Sequence, residues 1–249
     1  MVQGEVAQGA TRRRRVIGAE AVQAALAGGA AVRCVVVRDA AAAPTTDLLE
    51  RAEAQGIPIH RVAPRRFERL CGSDRTAEVL ALTGPDPRGD LESVMARGGA
   101  AWLLTGAVYP GNVGFAIRTA EVSGADGLYV DNDFDHAARR EAVRAAMRAD
   151  RFMPVGWQPA STVLDAARAV GKRVVGIEDV GDRPPWRIDL TGPALFVVGA
   201  EAEGIPQDVL DRCDAVTRLP MAGFVASYNL QTAVAAVAIE RLRQIEESP

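Results

Sequence analysis

Lysine, histidine, cysteine and aromatic residues are all scarce in this chain of 249 residues, and each shortage removes a class of chemistry. Its three cysteines, Cys34, Cys71 and Cys213, are odd in number and widely separated, which fits reduced core thiols rather than a disulfide framework. Only two histidines occur, His60 and His136, and they form no zinc-ligand spacing with those cysteines, so no metal site is expected. The longest apolar runs, 194–200 and 233–239, fall far short of the roughly 18 residues that span a bilayer. Arg12, Arg13, Arg14 and Arg15 are followed by no long apolar segment of the kind found in a secretory signal, so the expected location is the cytoplasm. Net charge is −3, which leaves any polyanionic partner to be met by local patches. Lys172 is the only lysine, and arginine, whose planar fork suits bidentate phosphate contact, supplies the other basic side chains.

What is present is an ordinary apolar content of 48% and a repeated alternation of strand-like and helix-like segments. After the aperiodic residues 1–11, a helix is expected at 19–27, a strand at 32–37, a helix at 46–55, a strand at 57–62, a helical turn at 64–70 and a strand at 79–82. This reads as a small α/β unit, residues 1–85. The turn formers T-G-P-D-P-R-G-D (83–90) break both periodicities and begin a linker assigned to 86–98. Residues 99–249 form a second unit, with strands expected at 101–105, 127–131, 152–155, 173–177, 194–198 and 215–218. Continuous apolar strands alternating with helices imply an α/β fold with a mostly parallel sheet, whose ligands bind beyond the C-terminal strand ends.

Three segments at such ends carry polar residues in glycine-rich surroundings. Y-P-G-N-V-G-F-A-I-R-T-A (109–120) passes from strand to helix; Asn112 suits an N-cap, Val113, Ile117 and Ala120 form an inward stripe, and Arg118 sits beside it. L-F-V-V-G-A-E-A-E-G-I-P (195–206) is a buried strand running into an acidic turn, where Glu201 and Glu203 form either an acid/base pair or a helix cap. It lacks the Lys-Ser/Thr ending of a phosphate loop and has the wrong charge for one. L-P-M-A-G-F-V-A-S-Y-N-L (219–230) precedes an apolar helix at 231–245, and Ser227 and Asn229 are either N-caps or site residues. No histidine accompanies Ser227, which weakens a nucleophilic triad.

Taken together, N-V-G-x-x-I-R-T-A, V-G-A-E-x-E-G-I-P and L-P-M-x-G-x-x-x-S-Y-N resemble, in order and spacing, the TrmH/SpoU family of SPOUT RNA ribose 2′-O-methyltransferases over roughly 102–242. The resemblance implies a C-terminal SPOUT domain closed by a deep trefoil knot, bound S-adenosylmethionine, and a site completed in a homodimer. Carried over by position, Gly199, Leu219, Met221 and Tyr228 would meet the cofactor. Asn112, Arg118, Glu201, Ser227 and Asn229 would be the catalytic and site-shaping residues. The implied substrate is rRNA or tRNA, with antibiotic-resistance rRNA methylation and a non-catalytic RNA-binding module as the alternatives. No G-x-G-x-x-G follows the first strand, which argues against a Rossmann nucleotide enzyme.

The first unit, with R-R-R-V-I-G-A-E-A-V-Q-A-A-L near its start, resembles the small L30e-like RNA-recruiting domain fused to such enzymes. Arg12, Arg13, Arg14 and Arg15, with Arg61, Arg65, Arg66 and Arg69, are candidates for phosphate contact or else a solvated surface. Many relatives carry Ser-x-Gly-Ala between the first two motifs. Here the segment is Arg144 to Ala149, and Arg140, Arg144 and Arg148 are expected on one helical face, either gripping RNA or paired with Glu141 and Asp150.

Overall fold

The computed structural model describes residues 14–39, 46–72, 76–225 and 227–248, and the chain divides into compact units at 1–85 and 86–249. Arg12, Arg13 and residues 1–11 lie outside the described residues.

In the first unit, strands β1 (Arg14–Ile17), β2 (Val32–Arg38), β3 (Ile59–Val62) and β4 (Val79–Thr83) form a sheet of order β1-β4-β2-β3. Only β2 and β3 run parallel; β4 pairs antiparallel with both β1 and β2. Side chains alternate across a strand, and here both faces are covered. Val35, Val37 and Val79 pack with Val22 and Leu26 of α1 (Ala19–Ala27) and Leu48 of α2 (Thr46–Ala54). Cys34, Val36 and Leu80 pack with Phe67 and Cys71 of α3 (Pro64–Cys71). Strand β1 escaped the sequence reading because R-R-V-I is half charged and only one edge of it pairs.

The second unit begins earlier than expected. Residues 86–98 are not a plain linker: they include helix α4 (Leu91–Met95), capped by the Asp90 carboxylate accepting from the Ser93 amide at 2.9 Å. Leu91, Val94 and Met95 are buried in the core of the second unit, so this segment is part of it. Its sheet is parallel throughout, in the order β10-β8-β9-β5-β6-β7, from β5 (Ala100–Thr105), β6 (Gly127–Asp131), β7 (Val155–Trp157), β8 (Arg173–Ile177), β9 (Ala194–Val198) and β10 (Ala215–Thr217). Helices α5 (Pro110–Val122), α6 (His136–Ala145) and α9 (Leu230–Glu247) cover one face, against Trp102, Leu104, Leu128 and Phe196. On the other, α4 and α7 (Ala160–Ala169) cover Ala101, Leu103, Val174, Leu195 and Val197, and short α8 (Gln207–Leu210) adds Val209. Burial on both faces explains the continuous apolar runs. Strand 152–155 needs correction: Ala149–Arg151 is a 3₁₀ turn and the strand starts at Val155. Met153, fully buried, anchors the connection rather than a strand.

From β5 the chain builds outward through β6 and β7, then returns to lay β8 and β9 on the opposite side of β5. The strand order therefore reverses between β5 and β9, and the crevice at the C-terminal strand ends near such a reversal is the usual ligand position in such sheets.

Beneath the opposite end of this sheet lies the only lysine. Lys172 Nζ donates to the carbonyls of Arg97 and Gly99, both at 2.7 Å, and stands 3.9 Å from Asp126 Oδ2. Burial holds its pKa below the usual lysine range, and the Asp126 charge partly offsets that. Lys172→Met leaves two part-buried carbonyls and the buried Asp126 carboxylate without their ammonium, so it should lower stability by about 3 kcal/mol in chemical denaturation. A loss below about 1 kcal/mol would mean that Lys172 is not a structural cation.

Candidate functional site

The site is assembled from four strand ends. Strand β9 ends at Val198, and Gly199 leads into a tight reversal closed by the Gly204 amide donating to the Ala200 carbonyl at 2.9 Å. Gly204 has φ +69°, the left-handed region open to glycine. The Ile205 amide then donates to Glu178 Oε2 at 2.7 Å, and the Asp179 amide to Glu178 Oε1 at 3.1 Å. Glu178 follows β8 directly and so ties the end of β8 to the loop after β9. A Cβ at Gly199 would lie 2.0 Å from the Gly204 carbonyl carbon and 2.3 Å from both its oxygen and the Ile205 nitrogen. No side chain fits there.

Asn112 reaches the same loop from across the crevice. It is not the N-cap expected from the sequence: α5 begins at Pro110, with Tyr109 at the cap, because proline's fixed φ suits the first helical position. Asn112 therefore lies inside the first turn, free to aim its side chain sideways, and its Nδ2 donates to Glu201 Oε1 at 2.6 Å. Val113, Ile117 and Ala120 are fully buried, as the stripe predicted.

The third segment, 218–229, closes over this pair. Ser227 Oγ donates to the Glu201 carbonyl at 3.2 Å, and the Tyr228 hydroxyl donates to the Pro220 carbonyl at 2.9 Å. Of the two capping candidates, only Asn229 caps α9, accepting from the Gln231 amide at 3.1 Å. Glu203 caps nothing: α8 starts at Gln207 with Pro206 at its cap, and Glu203 is exposed. Upstream, the loop after β8 lies against β10, where Thr217 Oγ1 donates to the Arg183 carbonyl at 2.8 Å.

These loops enclose a cavity of about 390 Å³. Gly199, Leu219, Met221 and Tyr228 all line it, as do Glu201 and Ser227. Ile177, Val198, Ile205 and Leu230 supply apolar wall, while Glu178, Asp179, Glu201 and Glu203 are acidic; among the described residues no arginine, lysine or histidine lines it. Such a cavity favours an apolar ligand carrying positive charge and disfavours a phosphate. Glu178 and Asp179 were missed in the sequence, although an acidic pair directly after an apolar strand is the same kind of signal as Glu201.

Arg118 is not drawn into this cluster. It lies six residues beyond Asn112 on α5, exposed, and among the described residues makes no hydrogen bond or ion pair. Arg144 and Arg148 are also exposed and line a separate cavity beside α6. The expected single helical face through Arg140, Arg144 and Arg148 is interrupted: α6 stops at Ala145, and Met147 and Arg148 turn left-handed with φ 53° and 64°. In the first unit Arg14, Arg15, Arg65 and Arg66 are exposed. The Arg15 guanidinium donates to the Leu70 carbonyl at 2.9 Å, placing β1 beside the arginine-bearing helix α3.

Among the described residues no three histidine, cysteine, aspartate or glutamate side chains gather as a metal site requires, and no helix is long and apolar enough to cross a membrane.

Comparison with known proteins places these loops in context. The SpoU rRNA Methylase family profile matches residues 102–239, and the profile for RNA 2′-O ribose methyltransferase substrate binding matches 15–88. A relative from Pseudomonas aeruginosa, the 23S rRNA (guanosine-2′-O-)-methyltransferase RlmB, is 29% identical over 203 residues, 79% of this chain and 82% of its own. The SpoU methyltransferase AviRb from Streptomyces viridochromogenes, solved with its cofactor AdoMet, is similar with a TM-score of 0.59 at 25% identity, over 100% of this chain and 95% of that one. An AdoMet-bound rRNA methyltransferase from Sinorhizobium meliloti shares the fold, with a TM-score of 0.59 at 22% identity over 98% and 97% of the two chains.

Proposed function

Because the chain belongs to the SpoU rRNA methylase family, we propose that its second unit transfers a methyl group from S-adenosylmethionine to a ribose 2′-hydroxyl of RNA, ribosomal RNA being the substrate class. The observation that carries this is the acidic, apolar-walled cavity at the C-terminal ends of β8 and β9, with Glu201, the hydrogen-bond partner of Asn112, in its wall. Its volume suits a small-molecule ligand. Its four carboxylates and lack of cationic side chains suit a sulfonium, while Leu219, Ile177 and Leu230 offer apolar surface to an adenine ring. Gly199 keeps backbone groups, rather than a side chain, at the cavity wall.

When bound, S-adenosylmethionine supplies an electrophilic methyl group. What the chain must add is in-line placement of the hydroxyl and a destination for its proton. The Asn112 hydrogen bond fixes Glu201 Oε1, and among the described residues Oε2 accepts none, so it is available to a hydroxyl brought to the cavity mouth. Ser227, donating to the Glu201 carbonyl, pins the backbone that presents that carboxylate. Asn229 starts α9 and so fixes where segment 218–229 ends. Arg118, without a hydrogen-bond or ion-pair partner among the described residues, grips the substrate phosphate and orients the ribose; a guanidinium carries five donors and no acceptor, which suits it to holding the phosphate rather than removing the proton.

The knot belongs to the same proposal. Its support is that Thr217 of β10 meets the Arg183 carbonyl in the loop after β8, and that Ser227, further along the chain, meets the Glu201 carbonyl in the loop after β9. The chain acts as a homodimer: α5 leaves Phe115 and Val122 exposed, and α9, packed against α5, leaves Ile239 and Leu242 exposed. The first unit is an L30e-like domain that recruits RNA through Arg14, Arg15, Arg65 and Arg66. Support comes from the substrate-binding profile over 15–88 and the exposure of those arginines.

Calorimetric titration of the whole chain with S-adenosylmethionine tests the reading. Saturable binding that is abolished by Gly199→Ala and unaffected by inorganic phosphate is the expected outcome; absence of saturable heat would turn the reading towards a non-catalytic RNA-binding module.

A further inference from the structure

A second cavity, of about 520 Å³, lies between α6 and β7, outside the methyl-transfer pocket. Its walls bring together Arg139, Arg140, Arg144, Arg148 and Trp157. Arg139 is the fixed element: its Nε donates to the Phe134 carbonyl at 2.9 Å and its guanidinium lies 5.4 Å from the Trp157 ring centroid. Arg140 and Arg144 stand one helical turn apart, exposed, and neither makes a hydrogen bond or ion pair among the described residues. Arg148 has a single acidic neighbour, Asp150, at 3.6 Å.

Two features of this cavity are costly unless it binds something. Met147 and Arg148 both adopt left-handed backbone conformations, which disfavour side-chain-bearing residues by roughly 1–2 kcal/mol each. Strain of this kind persists where function requires it. The Trp157 indole N–H is buried and has no hydrogen-bond partner among the described residues, although buried donors are almost always satisfied. Arg140 and Arg144, which lack structural pairing, and Arg148, held only by Asp150 at 3.6 Å, would be served by phosphodiester oxygens, the orphan N–H by a nucleobase or phosphate acceptor, and the Arg139–Trp157 stack by a base plane.

We propose that this cavity is an RNA subsite that holds one nucleotide other than the one methylated, its phosphate on Arg140, Arg144 and Arg148 and its base against Arg139 and Trp157. The inference rests on the RNA-methyltransferase reading, and locates a grip that the methyl-transfer cavity, lacking cations, does not provide. Arg140, Arg144 and Trp157 are positioning residues: they set where the RNA lies and take no part in the chemistry.

The test is binding of the full chain to deproteinised ribosomal RNA and to a labelled oligouridylate of about a dozen nucleotides, at several salt concentrations. In Arg140→Ala/Arg144→Ala, both affinities should fall about tenfold, and the log–log salt slope on the oligonucleotide should become shallower by about 1.4, the value for two lost single-strand phosphate contacts. Arg140→Lys/Arg144→Lys should restore the slope. Trp157→Phe, which keeps a ring and removes the N–H, should weaken binding about threefold with the slope unchanged. In methylation assays the alanine pair should raise KM for RNA while kcat and S-adenosylmethionine affinity stay as in the wild type. Wild-type affinity and slope in the alanine pair would overturn the subsite and leave the methyltransferase reading standing. Slope changes as expected, with no methyl transfer by the wild type, would support the subsite and sink the reading.

Discussion

Gly199→Ala should abolish binding of S-adenosylmethionine, weakening it by at least about 100-fold, equivalent to roughly 2.7 kcal/mol. The reason is geometric. The new Cβ would sit 2.0 Å from a backbone carbon and 2.3 Å from two further backbone atoms of residues 204 and 205, none of which is a flexible side-chain end. The reversal at 199–205 would have to open, moving Ile205 away from Glu178 and displacing Glu201 from Asn112. Calorimetry gives the affinity, and circular dichroism with thermal melting shows whether the fold survives. Gly192→Ala is the control, because nothing lies within 4 Å of a Cβ there and its φ is not left-handed. Near-native affinity in Gly199→Ala would mean that the cofactor does not use this loop.

Arg118→Ala should leave S-adenosylmethionine affinity unchanged and lower kcat by 10²–10³-fold, the scale reported for removing one preorganised charge-stabilising group. Its exposure and lack of partners make it cheap to replace structurally, so lost activity could not be attributed to misfolding. Arg118→Lys should recover only part of the rate, since an ammonium keeps the charge but loses the bidentate fork. Near-native turnover with full RNA binding in Arg118→Ala would remove this residue from the chemistry.

The sequence announced some of this architecture and concealed the rest for identifiable reasons. Strands β6, β8 and β9 were readable to the residue because burial on both faces makes them continuously apolar, with polar or turn residues at each end. Strand β7 was misplaced because Phe152 and Met153 look strand-like, yet they follow a 3₁₀ turn and form the connection that buried Met153 anchors. Helix α4 was hidden by the turn formers before it, and its five residues are too few to display a helical period. Strand order is a matter of which backbones pair, and no local pattern reports that β8 and β9 lie on the far side of β5 from β6.

The candidate site followed the same division. Residue types and glycine spacing marked Asn112, Glu201 and Ser227, but that the Asn112 amide meets the Glu201 carboxylate, 89 residues away, emerges only in three dimensions. Asn112 was mistaken for a cap because asparagine favours that position, whereas Pro110 starts the helix two residues earlier. Arg148 was placed on a continuous helix face, since alanine and arginine both favour helix, and the left-handed break after Ala146 has no glycine to advertise it.

The most direct measurement is mass-spectrometric mapping of ribose methylation in ribosomal RNA incubated with the purified chain and S-adenosylmethionine. One nucleotide should gain a methyl group on its 2′-oxygen, absent when Gly199→Ala replaces the wild type. A methyl group found on a base, or on no RNA nucleotide while the cofactor binds normally, would contradict methyl transfer to the ribose.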